Sequence, residues 1–286
     1  MVSSTLNMDE LLAKTKDLPT LPKAALAVMR ETELATASAA SVASHLSQDQ
    51  ALTVRVLRLA NSAYFGLSRQ VADLQEAVVI LGMRNIKNLA IVASTFPWMS
   101  RPLKGYMLGP RQMWTHSFCV AVAAREMANK TKRCDPDVAF TAGLIHNIGK
   151  VALSVWLENK IATMMNLAIR DNLTFDDVER KLLGFSHAEV GAHLATLWNL
   201  PPVYVDTILN HHQPNGSISA VTDYVHIGDY LTMSVGLGLG ADGLRYEFYP
   251  EAMERSGIDP EDIDWVLDAF LDAQEAYEQL FEGFAA

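Results

Sequence analysis

The chain is short of cysteine, short of positive charge and without any strand or repeat signature, and each shortage removes a class of function. Only Cys119 and Cys134 occur in 286 residues, and they do not form a C-x-x-C pair. They read as buried or incidental thiols, and a reducing cytoplasm fits them. Lysine and arginine number 23 against 33 acidic residues, for a formal net charge of −10. So acidic a chain is a poor general binder of phosphate backbone, and nucleic acid is not an expected partner, although Lys130, Lys132 and Arg133 form a local basic spot. Residues 1–16 lack a basic stretch followed by an apolar core, and no uninterrupted apolar run approaches the ~20 residues of a membrane span. The expectation is a soluble cytoplasmic protein with no membrane partner. Alternating strand pairs joined by hairpin turns are missing, as is any fixed-period repeat.

What is present is a helical pattern and enough apolar residues, 50% of the chain, for a sizeable core. Asn7-x-x-Glu10 resembles a capping box opening a first helix. Helices are expected over residues 24–33, 38–46 and 51–61, the last capped by Asp49. Asp73 caps another that ends near Gly82, and a further helix over 85–96 is broken by Pro97. Two prolines and two glycines between residues 101 and 110 read as a junction. It divides an N-terminal helical subdomain, 1–107, from a helical domain, 108–286. Beyond it lie expected helices at 111–130, 136–156 and 158–170, a short one opened by Thr174, and 188–198 opened by Ser186. A helix from Pro202 carries His211 and His212, and another covers 217–233. A glycine-rich loop spans 233–243. The last helix, from Pro260 to about Glu282, is acidic, with Ile263, Val266, Leu267, Phe270 and Leu271 on one side.

The most informative residues close the apolar stretch 138–145: His146, Asn147 and, three further on, Lys150. Polar groups at the end of a buried helix need partners. Of eight histidines only His45 lies in the first half, and the rest fall between His116 and His226. An all-helical domain can aim side chains from several helices into one interior pocket. The candidates are His116, His146, Asn147, His187, His211, His212 and Asp229. Each has a plain structural account: a hydrogen-bonded core histidine at 116, a helix-start contact at 187, a His226–Asp229 pair on one helical face. His211 and His212 point ~100° apart on a helix. His193 faces elsewhere.

The chain resembles the HDOD family, signalling modules related to HD-type metal phosphohydrolases, from Leu18 to about Met233. The motifs are Leu18-Pro19-Thr20-Leu21-Pro22, Ala60-Asn61-Ser62-Ala63-Tyr64-Phe65-Gly66, the run from Ala77 to Gly82, Trp114-Thr115-His116-Ser117, the run from Ala142 to Lys150, His187-Ala188-Glu189-Val190-Gly191, Trp198-Asn199-Leu200-Pro201, His211-His212 and the run from His226 to Leu231. They follow one another in the family's order. The resemblance implies an all-α fold, a multi-helical HD-like bundle with an N-terminal helical subdomain. In HD-type hydrolases the matching positions bind metal, so His116, His146, the Asn147 position and Asp229 form the implied core ligand set. His187, His211 and His212 match additional ligands of a multi-metal site, and Lys150 matches a lysine that steadies substrate phosphate. Two departures stand out: Asn147 replaces an aspartate, and Gln213-Pro214-Asn215-Gly216 stands where cyclic-dinucleotide phosphodiesterases carry a GYP segment.

An amide has one acceptor oxygen and a donor NH₂, so Asn147 cannot bridge two cations as a carboxylate does. Two-metal hydrolysis is expected to be badly weakened. The remaining imidazoles and Asp229 suffice for one divalent ion, Zn, Fe or Mn. The favoured expectation is a stand-alone signal-transduction module, catalytically impaired, that docks on signalling proteins or senses a metal or ligand in a former hydrolase pocket. No receiver, GGDEF or EAL segment accompanies it. The alternative is a metal-dependent phosphohydrolase acting on a nucleotide or cyclic dinucleotide, in which Lys150 meets the phosphate.

Overall fold

A computed structural model describes residues 8–14, 20–62, 65, 67–217, 219–238 and 240–281. The motif residues Leu18, Pro19, Ala63, Tyr64 and Gly66, the Asn7 of the first capping box and the expected helix end at Glu282 lie outside the described residues. Among the described residues there is no strand, only an isolated antiparallel bridge between Leu103 and Leu108. The expected all-α class holds.

The described α-helices are α1 (Met8–Lys14), α2 (Lys23–Glu31), α3 (Ala39–Leu46), α4 (Gln50–Ala60), α5 (Leu74–Met99), α6 (Gln112–Thr131), α7 (Pro136–Ile145), α8 (Ile148–Leu157), α9 (Ile161–Asp171), α10 (Phe175–Leu183), α11 (His187–Leu197), α12 (Pro202–Asn210), α13 (Ala220–Ser234), α14 (Pro250–Ser256) and α15 (Ile263–Phe281). Several begin where a short polar side chain satisfies orphan backbone N–H groups. Asp49 accepts from Leu52 N at 2.9 Å, and Asp73 from Glu76 N at 2.8 Å. Thr174 with Asp177 forms a capping box, and at the start of α11 Glu189 Oε2 accepts from Ser186 N at 2.7 Å.

Two compact units result. One comprises Thr20–Pro97 and the chain from Leu271 on; the other comprises α1 and Trp98–Phe270. The boundary therefore falls at Trp98, ahead of the 107/108 division expected from the proline- and glycine-rich stretch. That stretch is no linker. Tyr106 is fully buried, and Gly105 N–H donates to Ser154 Oγ at 3.1 Å, so residues 103–108 are part of the later unit's interior.

Three other expectations need correction. Residues 74–99 form one helical run, interrupted only at Gly82, whose φ of 83° a residue with a Cβ rarely adopts. Pro97 does not break it, and the helix runs on to Met99. Conversely, the helix expected over 136–156 is two, α7 and α8, parted at His146 and Asn147. Helix α14 lies between the expected glycine-rich loop and the last helix, where no element was expected. Two stretches, Leu74–Met99 and Pro136–Leu157, are long and apolar enough for a membrane span, with 61% and 83% of the window buried. Gly82 and the His146–Asn147 break interrupt them, and both are core helices.

Within the unit Trp98–Phe270, α6 packs on α7 and α13, and α8 packs on α11. The α8–α11 approach depends on Gly149: a Cβ there would lie 1.9 Å from His187 O. This close crossing carries the His146–Lys150 segment up to the start of α11. Val266 and Phe270 of the last helix are buried, whereas Leu271 is 46% exposed. The basic spot is occupied: Lys130 pairs with Asp262, and Arg133 donates to Arg255 O.

Candidate functional site

Helix ends build the centre of this unit. The last carbonyls of a helix lack intrahelical donors. At the end of α7, His146 turns its ring back so that Nδ1–H donates to Gly143 O at 2.6 Å. At the end of α12, His211 does the same to Ile208 O at 2.8 Å. Each bond fixes the tautomer and leaves Nε2 as a lone pair directed away from the helix. The two rings meet edge to face, with centroids 5.0 Å apart.

The other imidazoles are fixed in the same sense. His116 on α6 donates Nδ1–H to Leu237 O at 3.2 Å. His187, first residue of α11, donates Nδ1–H to Glu179 Oε2 at 2.7 Å, and its backbone N–H donates to the same oxygen at 2.7 Å. Glu179 is fully buried, and its other oxygen accepts from Tyr106 OH at 2.6 Å. His212 lies with its Nε2 2.9 Å from His187 Nε2. With Nδ1–H of His187 committed to Glu179, the His212 nitrogen is the donor in that pair.

Among the described residues three groups of donor atoms converge: His116, His146 and Asp229; His187, His211 and His212; and Asp176, Glu179 and His187, in which Glu179 is already bonded to His187. In each the donor atoms lie within 4.8 Å of one another. His116 Nε2 and Asp229 Oδ1 lie 2.8 Å apart without the alignment of a hydrogen bond, and both are buried with no other partner. His211 Nε2 and Asn147 Oδ1 are buried and unpartnered as well. Orphaned buried acceptors cost on the order of 1–3 kcal/mol each, so four in one cavity fit a cation between them. Asn147 departs from this pattern. Its Nδ2 lies 2.6 Å from His146 Nε2 and donates into that lone pair.

The charge state suits metal chemistry. Burial pushes the His146 imidazole down to about 3, and carries His211 and His212 well below their ordinary value. These rings are therefore neutral ligands at pH 7. Burial alone would raise the Asp229 carboxyl, but His116 and then His146 beside it hold it well below the usual carboxylate range.

All the expected site residues except Lys150 thus belong to the first two groups or, as Asn147 does, touch them. Lys150 is instead 3% exposed with its ammonium 2.5 Å from Asp242 Oδ2. Burial lowers its affinity for a proton, and Asp242 and Asp229 more than restore it. The expected His226–Asp229 pair is a correction. Although three apart on α13, His226 spends Nδ1–H on His211 O at 2.8 Å and accepts from Tyr249 N at 3.1 Å. Asp229 receives Tyr246 OH instead, at 2.9 Å. Sequence reasoning missed Tyr106, Glu179, Asp242 and Tyr246. Two of them had a signal: Glu179 is an acid on the inward face of an amphipathic helix, and Tyr246 stands with Phe248 and Tyr249 in a run too aromatic for a solvated loop.

A pocket beside these groups, lined among others by Asp176, His187, His212, Asp242 and Tyr246, has a volume of about 70 Å³, room for a few waters.

The family model of the HDOD domain matches residues 18–214. The chain belongs to the HDOD family. An HDOD domain protein of unknown function from Geobacter sulfurreducens is similar along its length: 26% identity, 96% of this chain and 97% of that one, TM-score 0.77. A candidate phosphohydrolase from Shewanella amazonensis SB2B is 26% identical over 94% of this chain and 97% of its own, with a TM-score of 0.69. An uncharacterised protein of Treponema pallidum (strain Nichols) is 29% identical over 198 residues, 68% of this HDOD chain. The chain spans 38% of the length of that relative.

Proposed function

We propose that this HDOD chain is a regulatory module whose unit Trp98–Phe270 holds one divalent cation and passes its occupancy to signalling proteins that dock on it. His116, His146 and Asp229 would hold the ion, with His187, His211 and His212 as the neighbouring donors. Zn, Fe and Mn all suit imidazole with one carboxylate. When bound, the ion supplies a fixed positive charge that joins helices α6, α7 and α13.

One observation carries the reading: the Asn147 amide donates to His146 Nε2 where two-metal hydrolysis needs a bridging acceptor. A cation on His146 Nε2 would have to displace that N–H, and a second one would in addition have to accept a neutral oxygen in place of a charge.

The second reading, a metal-dependent phosphohydrolase for nucleotides or cyclic dinucleotides, draws on the 26% identity to the candidate phosphohydrolase of Shewanella amazonensis SB2B. Elemental analysis of purified protein, then turnover assays on both substrate classes with added Mn²⁺, Fe²⁺ or Zn²⁺, separates the two. One ion per chain without turnover is the expected result. Sustained hydrolysis that disappears in His146→Ala overturns the regulatory reading.

A further inference from the structure

A lysine placed to meet phosphate is of use only if a phosphate can reach it. The Lys150 ammonium is buried and already carries the Asp242 carboxylate at 2.5 Å, and it lies 5.8 Å from the centre of the Tyr106 ring. Asp242 is not placed there by a slack loop. The segment 235–249 is fastened at three points on the site itself: Leu237 O accepts from His116, Tyr246 OH donates to Asp229, and Tyr249 N–H donates to His226. The second Asp242 oxygen, Oδ1, is buried without a hydrogen-bond partner, and the residue lines the same cavity as His187 and His212. Asp177 and Glu247 stand at the opening, and Asp176, buried beside them, is paired with Arg180. The only cation among the lining residues, Arg245, turns its guanidinium to Asn172 O.

An approaching phosphoester would meet these carboxylates first and then find its lysine taken. A divalent cation would be drawn in by the same charges. We propose that Asp242 is the specificity-determining residue of the cavity: one oxygen occupies Lys150 while the other faces the histidines, so the site accepts a hydrated divalent cation and refuses phosphate. Asp242 thereby supplies, from a distant loop, negative charge that Asn147 does not carry. The cation half of this inference rests on the metal-binding reading above; the exclusion of phosphate does not.

The test uses Mn²⁺ alone and inorganic pyrophosphate alone, each titrated calorimetrically into the full chain. The variants are Asp242→Asn, Lys150→Met and the double substitution. The double variant removes both charges of a buried pair, which folds tolerate better than losing one. Wild type is expected to bind Mn²⁺ and not pyrophosphate. Asp242→Asn should bind Mn²⁺ about tenfold more weakly and acquire pyrophosphate binding. The double variant should lack pyrophosphate binding and bind Mn²⁺ more weakly than Lys150→Met, from which it differs only by the Asp242 charge; Lys150→Met should bind Mn²⁺ at least as well as wild type. Pyrophosphate binding by wild type as tight as by Asp242→Asn overturns the exclusion. Mn²⁺ affinity of the double variant within about twofold of that of Lys150→Met overturns the cation half. Wild type that takes up no Mn²⁺ sinks the metal-binding reading instead, while the pyrophosphate comparison still decides the rest.

Discussion

Replacing Asn147 by aspartate should make the protein weaker without metal and stronger with it. In the metal-free protein the substitution removes the Nδ2–H bond to His146 Nε2 and puts an acceptor in its place, in a cavity that already holds the ionised Asp229. Losing one buried hydrogen bond costs about 1 kcal/mol, and an added buried charge costs several more before relaxation, so a net loss of ~2–4 kcal/mol is expected. For a unit of this size 1 kcal/mol moves Tm by roughly 2–4 °C, which predicts a fall near ~10 °C. With a cation the sign reverses. A unit charge ~4 Å from a divalent ion at an effective dielectric of 20 gains about 8 kcal/mol gross, and desolvation returns most of it. A residual ~2–3 kcal/mol is about a 30- to 150-fold tighter Kd. The assay is thermal unfolding of both proteins in chelator and in graded Mn²⁺, with Kd taken from the concentration dependence of Tm. An aspartate variant whose chelated Tm and Mn²⁺ affinity both match wild type refutes the placement of Asn147 against His146.

Three further outcomes follow from the same geometry. His146, His211 and His212 have pKa values depressed by burial, so the unfolded chain binds more protons below ~6.5 and stability falls as pH drops from there toward the His146 value of about 3. At ~1.4 kcal/mol per histidine per pH unit, denaturant midpoints in chelator should slide steeply between pH 6 and 5, and a flat profile contradicts neutral burial. Glu179→Gln should leave Tyr106 and the His187 backbone with a neutral partner and release the His187 tautomer; ¹⁵N chemical shifts of the imidazole should move from Nδ1–H toward a mixture, with a stability loss of ~1–3 kcal/mol. Gly149→Ala should cost ~3 kcal/mol or more in urea unfolding, because its Cβ would sit 1.9 Å from His187 O, and a neutral outcome refutes the α8–α11 approach.

Helix caps were legible because their chemistry is local. Asp49, Asp73, Thr174 and Ser186 each open a helix as a short polar residue ahead of an apolar periodicity should. The break at His146–Asn147 was not legible. Residues 136–156 are apolar on both sides of it, and only the tertiary demand of α11 against Gly149 ends one helix and starts the next. The stretch 101–110 misled for a related reason: glycine and proline signal a departure from helix, and here the departure is a buried loop that delivers Tyr106 to Glu179. In the site, residues that share motifs with the family came together, whereas their supports did not announce themselves. Glu179, Asp242 and Tyr246 reach the cavity from separate segments, and no spacing rule links an acid on α10 to the first residue of α11 eight positions later.

The persistence of the cavity despite Asn147 has a physical basis in those supports. Four of the six site imidazole and carboxylate side chains are oriented by groups that residue 147 does not touch: His116 by Leu237 O, His187 by Glu179, His211 by Ile208 O and Asp229 by Tyr246 OH. Even His146 is aimed by Gly143 O at the end of its own helix. An aspartate-to-asparagine exchange at 147 therefore subtracts charge and bridging capacity and caps the His146 lone pair with an N–H, while leaving the other lone pairs where they were. A metal site whose ligands held one another in place would instead collapse when one was changed. Here the donors are positioned by the fold, so binding and catalysis separate: one cation asks of Asn147 only that its N–H leave His146 Nε2, whereas a second asks it to bridge.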